Sequence, residues 1–104
     1  MKPNREESPR RQLMARKHLA QAFTALDDVA QTQALLTDLC TPAELQALAD
    51  RWQVVQLLKK GLAYRAINAQ TGVSVTTVGR VARFMSDGAG GYDAALTAIE
   101  RNGR

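Results

Sequence analysis

The chain has 104 residues, a net charge of +4 and one cysteine. This length suits one compact domain or one subunit of an obligate oligomer, and a single cysteine excludes an intrachain disulfide framework. Ala and Leu dominate the apolar residues, while aromatic residues make up only 5% of the chain, which favours helices over strands. We therefore predict an all-α protein of about six helices.

Apolar spacing predicts the first two helices. Leu19, Phe23 and Leu26 recur at steps of four and three residues, and Ala30 continues the rhythm. This is one face of a helix, which we expect over about 10–30 behind a flexible basic tail at 1–9. A short helix over about 32–39 should follow, with Thr32 as its N-cap. Residues 10–104 are expected to form a single helical domain.

The stretch "TPAE" carries a strong helix-start signal. It puts Thr41 at the N-cap, Pro42 at the first helical position and Glu44 two positions later, the pattern of a capping box. The predicted helix runs to about Lys60 and stops at Gly61. Its expected apolar stripe is Leu45, Leu48, Trp52, Val55 and Leu58.

Two shorter helices are predicted over about 64–71 and 74–85, with Gly72 at the corner between them. Ile67 and Thr71 should face three valines around and beyond that corner, namely Val73, Val78 and Val81. This spacing is typical of a helix-turn-helix, which we place at 64–85. Asn68 is atypical, because alanine is usual where the two helices pack closely. The stretch "DGAGGYD" then breaks the chain before a last helix over about 92–100.

Positive charge is segregated on these helices. Between Asp50 and Asp87 there are six basic residues and no acidic one, an arrangement typical of proteins that bind polyanions. A solvated basic surface without a partner is the alternative interpretation. The second helix of the pair would enter the DNA major groove, where hydroxyls and arginines contact bases or phosphates. The candidate DNA-binding residues are Lys59, Lys60, Arg65, Ser74, Thr76, Thr77, Gly79, Arg80 and Arg83.

The residue types argue against catalysis. There is one histidine and one cysteine, and no cluster has the spacing of metal ligands or of an acid–base pair. We interpret Cys40 as a buried structural thiol and "GAGGY" as a helix break, and we expect neither enzyme activity nor a cofactor. The sequence shows no signal peptide and no apolar run of 18 residues, so we expect a cytoplasmic protein without a membrane partner.

The segment "LCTPAELQALADRWQVVQLLKKGLAYRAINAQTGVSVTTVGRV", followed by "GAGGY", resembles the tryptophan-repressor-like family, and within it the small proteins of the YerC/YecD type. The likeness covers about 35–92. It implies a transcriptional repressor that forms an intertwined helical homodimer, with one helix-turn-helix from each subunit in successive major grooves of double-stranded DNA. A dimer also suits the long helices, whose apolar surface exceeds what a monomer of this size needs.

The resemblance further implies an effector site. In the tryptophan repressor, two arginines clamp the corepressor, and the candidate effector-binding residues here are Thr41, Arg51, Thr77 and Arg80. Two departures stand at this site. Phe84 replaces a serine that helps bind the amino group, and Val81 replaces a glycine beside the indole slot. These larger apolar side chains should fill the pocket, so we expect repression that does not depend on tryptophan.

Two other functions fit the same residues. The helix pair can dock another protein, with the basic stretch incidental to that role. The protein can also be a true repressor that depends on an amino-acid corepressor. The salt dependence of affinity distinguishes the first alternative from DNA binding. Phosphate contacts release counterions, so affinity for DNA should fall steeply with salt, whereas affinity of an apolar docking surface should respond weakly.

Overall fold

The computed structural model describes residues 8–103, and all regular structure in this part of the chain is helical. The prediction of an all-α protein with about six helices is confirmed. The helices are α1 (Pro9–Ala25), α2 (Val29–Leu39), α3 (Pro42–Lys59), α4 (Tyr64–Thr71), α5 (Val75–Asp87) and α6 (Gly91–Arg101). The chain divides after Thr41 into two compact units: unit 1 contains α1 and α2, and unit 2 contains α3 to α6. Whether they form the single domain expected over 10–104 stays a prediction.

The first helix begins at a side-chain cap. The hydroxyl oxygen of Ser8 accepts a hydrogen bond from the backbone N–H of Arg11 at 3.1 Å, and Pro9 occupies the first turn. Proline suits this position because the N–H that it lacks has no partner within the helix. Ser8 and Pro9 therefore start α1 rather than belonging to the predicted tail, and residues 1–7 of that tail lie outside the described residues.

The predicted helix over 10–30 is wrong, because the chain breaks within it. Helix α1 ends at Ala25, and Asp28 caps α2 by accepting a hydrogen bond from the N–H of Ala30 at 2.8 Å. Thr32, the predicted cap, lies inside α2 and donates its hydroxyl to the carbonyl oxygen of Asp28 at 3.1 Å. The apolar residues keep their helical spacing across the break, so this spacing does not show that a helix ends there. The preference of aspartate for the N-cap position does indicate the new helix start at Asp28.

Unit 1 buries no side chain completely. No residue of α1 or α2 is buried, and Cys40, expected to be buried, is half-buried. Large apolar side chains of these helices remain exposed, namely Leu13, Met14, Leu19, Val29 and Leu39. Two short helices that leave this much apolar surface in water gain little stability from their own packing.

Unit 2 contains a continuous apolar core. It consists of Val54, Val55, Leu57, Ile67, Val73, Val78 and Val81, which come from α3, α4, α5 and the α4–α5 turn. Tyr92 and Leu96 of α6 pack against it. Because α3, α4 and α5 share one core, the position of α5 is fixed by packing against both α3 and α4.

The apolar stripe predicted for α3 is only partly correct. Val55 is completely buried, but Leu48 is 41% exposed. The stripe also leaves out Val54 and Leu57, both of which belong to the core. Helix α3 is apolar on more than one side, and only tertiary packing decides which side faces α4 and α5.

Helix α3 ends as predicted at a glycine. Gly61 has φ 88°, its N–H donates to the carbonyl oxygen of Leu58 at 2.9 Å, and the N–H of Leu62 donates to that of Leu57 at 3.2 Å. These two bonds form a Schellman motif, in which the left-handed conformation favours glycine. The motif turns the chain towards α4 and leaves Lys59 and Lys60 exposed at the end of α3.

Candidate nucleic-acid interface

Side chains of α4 hold the turn that joins α4 to α5. The N–H of Val73 donates to the hydroxyl oxygen of Thr71 at 3.0 Å, and the side-chain amide of Asn68 donates to the carbonyl oxygen of Val73 at 2.8 Å. Gly72, at φ 80°, ends α4 by donating its N–H to the carbonyl oxygen of Asn68 at 2.8 Å. Asn68, atypical in the sequence, therefore satisfies a backbone group of the turn that alanine could not reach.

Packing beneath the turn follows the predicted pattern. Ile67 and Val78 are completely buried, and Val73 and Val81 lie with them in one core. Thr71 is half-buried, and its hydroxyl donates to the carbonyl oxygen of Ile67 at 2.7 Å. The expected apolar contact between α4 and α5 is confirmed. It fixes which residues of α5 face outward, since helix positions repeat every 3.6 residues.

Most of the candidate DNA-binding side chains are exposed. On α5 these are Thr76, Arg80 and Arg83, and on α4 it is Arg65. No acidic residue occurs from Arg51 to Ser86 in the sequence, so α4 itself and all of α5 except its last residue, Asp87, lack acidic side chains. The geometry leaves a helix with positive and hydroxyl side chains on its outer side, which suits a phosphate-bearing partner.

Ser74 and Thr77 have a local structural role. The hydroxyl oxygen of Ser74 accepts a hydrogen bond from the N–H of Thr77 at 3.1 Å, which caps α5. The Ser74 hydroxyl also lies 3.1 Å from the Thr77 hydroxyl oxygen, to which it donates. The Ser74 hydroxyl thus uses its one proton within this cap. The Thr77 hydroxyl only accepts here, so its proton can be donated to another group, although Thr77 is half-buried.

Gly79 lies against a tyrosine that sequence reasoning did not include in the site. A Cβ atom at position 79 would lie 3.6 Å from Cε2 of Tyr64, which comes from the first turn of α4 and is 42% exposed. That distance is ordinary van der Waals contact, so the packing of Tyr64 alone does not require glycine. The only sequence signal was an aromatic residue directly before Arg65.

Three of the four candidate effector-binding residues line two pockets that share Arg51. One pocket, of about 300 Å³, is lined by Arg51, Arg80, Val81, Phe84 and Tyr92. The other, of about 270 Å³, is lined by Arg51 together with Ala47, Asp50, Val73, Ser74 and Thr77. The half-buried Arg51 of α3 therefore contributes to two pockets, each of which is also lined by residues of α5. Thr41, the fourth candidate, is an exposed residue at the end of unit 1.

The side chains expected to fill the effector pocket line it and leave it open. Val81 is 1% exposed and belongs to the core, whereas Phe84 is 46% exposed. The guanidinium carbon of Arg83 lies 5.9 Å from the centre of the Phe84 ring, within cation–π range. Tyr92, which also lines the pocket, packs against Trp52 with ring centres 6.4 Å apart. The lining thus includes two aromatic rings and two arginines.

Residues 8–103 contain neither a candidate metal site nor a helix suited to span a membrane. No group of three or more His, Cys, Asp or Glu side chains in this part of the chain is arranged to hold a metal ion. None of the described helices has the length and hydropathy needed to cross a bilayer.

Comparisons with known proteins give concordant results. The chain matches the family model described as Trp repressor protein over residues 15–100. It is 36% identical over 87 residues to the uncharacterized protein YerC of Bacillus subtilis (strain 168), across 81% of this chain and 84% of that protein. The crystal structure of a TrpR-like protein from Eubacterium eligens matches with a TM-score of 0.77 and 31% identity, across 84% of this chain and 90% of the other. The resemblance in the sequence is confirmed.

Proposed function

The chain belongs to the Trp repressor protein family, and we propose that it is a dimeric, sequence-specific DNA-binding transcriptional regulator of the repressor type. The observation that carries the proposal is the α4–α5 pair. Its turn is held by Asn68 and Thr71, its apolar side packs on α3, and its outer side presents Thr76, Arg80 and Arg83. In this proposal the pair is a helix-turn-helix, with α5 in the major groove.

The charge distribution supports a DNA partner. Arg65 on α4 and the exposed Lys59 and Lys60 at the end of α3 flank the proposed reading helix. In the proposal these three cations hold phosphates, which sets the register of the protein on the duplex. Arg80 and Thr76 contact base edges, because arginine matches guanine and the threonine hydroxyl and methyl suit several bases.

Unit 1 supports a homodimer. Its two helices contain 17 and 11 residues and have no buried side chain of their own, while several leucines are exposed. Burial against a second copy removes this surface from water and suits the intertwined dimer that the family resemblance implies. A dimer also gives two reading helices, as a two-fold symmetric DNA site requires.

We propose repression without tryptophan. The pocket between Arg51 and Arg80 is lined by Val81 and Phe84 rather than by the glycine and serine expected of a tryptophan site. Its open volume of about 300 Å³ and its two arginines favour a second candidate function, repression with an anionic effector. In both versions the protein is a cytoplasmic regulator without catalytic activity or a resident cofactor.

Selection of random duplex DNA by the purified full chain, without added ligand, tests the proposal. We expect enrichment of a two-fold symmetric site. Enrichment only after L-tryptophan is added would instead support the corepressor-dependent version. No enrichment with or without L-tryptophan would contradict ligand-free reading of DNA and would favour a different, anionic effector or a helix pair that docks another protein.

A further inference from the structure

Tyr64 occupies an unusual place beside the proposed reading helix. It is the first residue of α4, yet its ring reaches α5 at the one position there that has no side chain of its own, Gly79. The contacting atom, Cε2, is bonded to the ring carbon that carries the hydroxyl group. The hydroxyl end of Tyr64, rather than the base of its ring, therefore lies at the level of Gly79.

Gly79 lies on a face of α5 that also carries exposed side chains. Thr76 and Arg83 lie three residues before and four residues after Gly79, so they share its face of α5. Both side chains are exposed. Tyr64 is 42% exposed and is not one of the buried residues of the apolar core. A large amphipathic side chain in this place has a polar end available to a partner of the same surface.

From this geometry we propose that Tyr64 is a specificity-determining residue that reads a base edge at the level of Gly79. The inference rests on the proposed function. Helix α5 offers no side chain at that position, and the phenol of α4 supplies one. A phenol hydroxyl both donates and accepts hydrogen bonds, and the base edges of the major groove present donors and acceptors in patterns that differ between base pairs.

The experiment compares three variants with the wild-type full chain. Tyr64→Phe removes only the hydroxyl group, and Tyr64→Ala removes the ring. Thr97→Val is the control, because it removes a hydroxyl from an exposed position of α6 at nearly constant volume. Each protein selects from random duplex DNA, affinity for the wild-type site is measured, and thermal melting followed by circular dichroism verifies the fold.

We expect Tyr64→Phe to melt as the wild type does and to lose base preference at one position in each half-site. Its affinity for the wild-type site should fall about fivefold to 150-fold, the effect of losing one neutral hydrogen bond in each half-site. Tyr64→Ala should lose the same preference with a larger fall in affinity, whereas Thr97→Val should change neither quantity.

Three results would overturn the inference, and they are distinguishable. Unchanged preference and affinity in both Tyr64 variants would show that Tyr64 contacts no DNA. An equal loss of affinity for every sequence would identify a phosphate contact instead of base reading. If the wild-type protein itself enriches no sequence, the proposed function fails, and the role of Tyr64 fails with it.

Discussion

Unit 1 and unit 2 differ in what they bury. All seven core side chains of the described chain lie in unit 2, where three helices and a turn share them. Unit 1 has two helices of comparable length and no buried side chain. Unit 2 is therefore stabilised by its own core, whereas Leu13, Leu19 and Leu39 of unit 1 leave apolar surface in water that the proposed dimer would bury. We therefore expect mutations in the two units to affect different measurements.

The largest effect is expected in unit 1. Leu19 is 44% exposed on α1, and Leu19→Glu places a charge on the proposed dimer surface. Full burial of a leucine contributes about 1.5–3 kcal/mol, and the 44% that Leu19 exposes is worth less than half of that in each half of a two-fold dimer. The glutamate charge adds the cost of its own desolvation, so the dimer should weaken by about 3 kcal/mol or more. The Kd of the dimer, measured by sedimentation over a dilution series, should rise roughly a hundredfold or more.

Gln21→Glu is the matched control for that variant, since it adds the same charge at an exposed polar position of α1. It should leave the dimer nearly intact. A dimer unaffected by Leu19→Glu, or a wild-type chain that stays monomeric, would contradict the assignment of the dimer surface to unit 1.

Unit 2 contains a matched pair of isoleucines. Ile67 is completely buried in its core, whereas Ile99 of α6 is 38% exposed. Ile67→Ala should lower the free energy of unfolding by about 2–5 kcal/mol, the cost of a buried cavity, whereas Ile99→Ala should cost clearly less. Urea unfolding measures both. Equal losses would mean that stability in unit 2 is not concentrated in the core described above.

The outer side of unit 2 should affect binding without affecting stability. Arg80→Ala removes an exposed side chain of α5, and we expect it to weaken specific DNA binding by about 1–3 kcal/mol in each half-site with unchanged melting. Arg101→Ala, at the exposed end of α6, removes the same charge and is the control. Fluorescence anisotropy with the selected duplex measures both. If the two variants weaken binding equally, the effect is one of overall charge and α5 is not the reading helix.

The turn of unit 2 should show a smaller effect. Asn68→Ala removes the hydrogen bond from the side-chain amide to the carbonyl oxygen of Val73, which should cost about 0.5–1.5 kcal/mol of unfolding free energy. Gln70→Ala removes an exposed amide from the same helix and should be nearly neutral in urea unfolding. A neutral Asn68→Ala would mean that the bond to the turn does not contribute to folding.

The smallest effect is expected at Gly79, where one substitution should change folding stability and DNA affinity in opposite directions. Gly79→Ala should raise the unfolding free energy by up to about 1 kcal/mol, because alanine is the better helix former and its Cβ would meet Tyr64 at an ordinary 3.6 Å. The same methyl group should lower DNA affinity if the duplex approaches α5 closely. Melting and anisotropy together test this. Improved stability with unchanged binding would remove Gly79 from the DNA-binding residues.

Sequence reasoning succeeded where local rules determine the structure. The turn at Gly72 and the burial of Ile67 and Val78 follow from glycine conformation and helix periodicity, and the structure confirms them. Periodicity failed at Asp28, because the apolar rhythm of α1 continues into α2 across the break. It also failed on α3, where Val54 is buried although the expected stripe leaves it out.

The candidate site was less predictable, for a physical reason. Exposed cations such as Arg65 can be identified from composition and spacing. The contact of Tyr64 with Gly79 depends on how α4 lies across α5, and no local pattern encodes that crossing. The bond from Asn68 to the turn is similar: the sequence shows an unusual residue, and only the folded backbone shows which carbonyl group it satisfies.

The salt dependence of DNA binding tests the central claim most directly. If Lys59, Lys60 and Arg65 of both protomers hold six phosphates, log affinity should fall with log salt at a slope of about −5, and affinity should fall about 10³-fold between 50 and 200 mM salt. That result, measured by anisotropy on the selected duplex, would confirm that the protein binds DNA through about as many phosphate contacts as these cations can make. A slope near zero would contradict DNA binding by this surface.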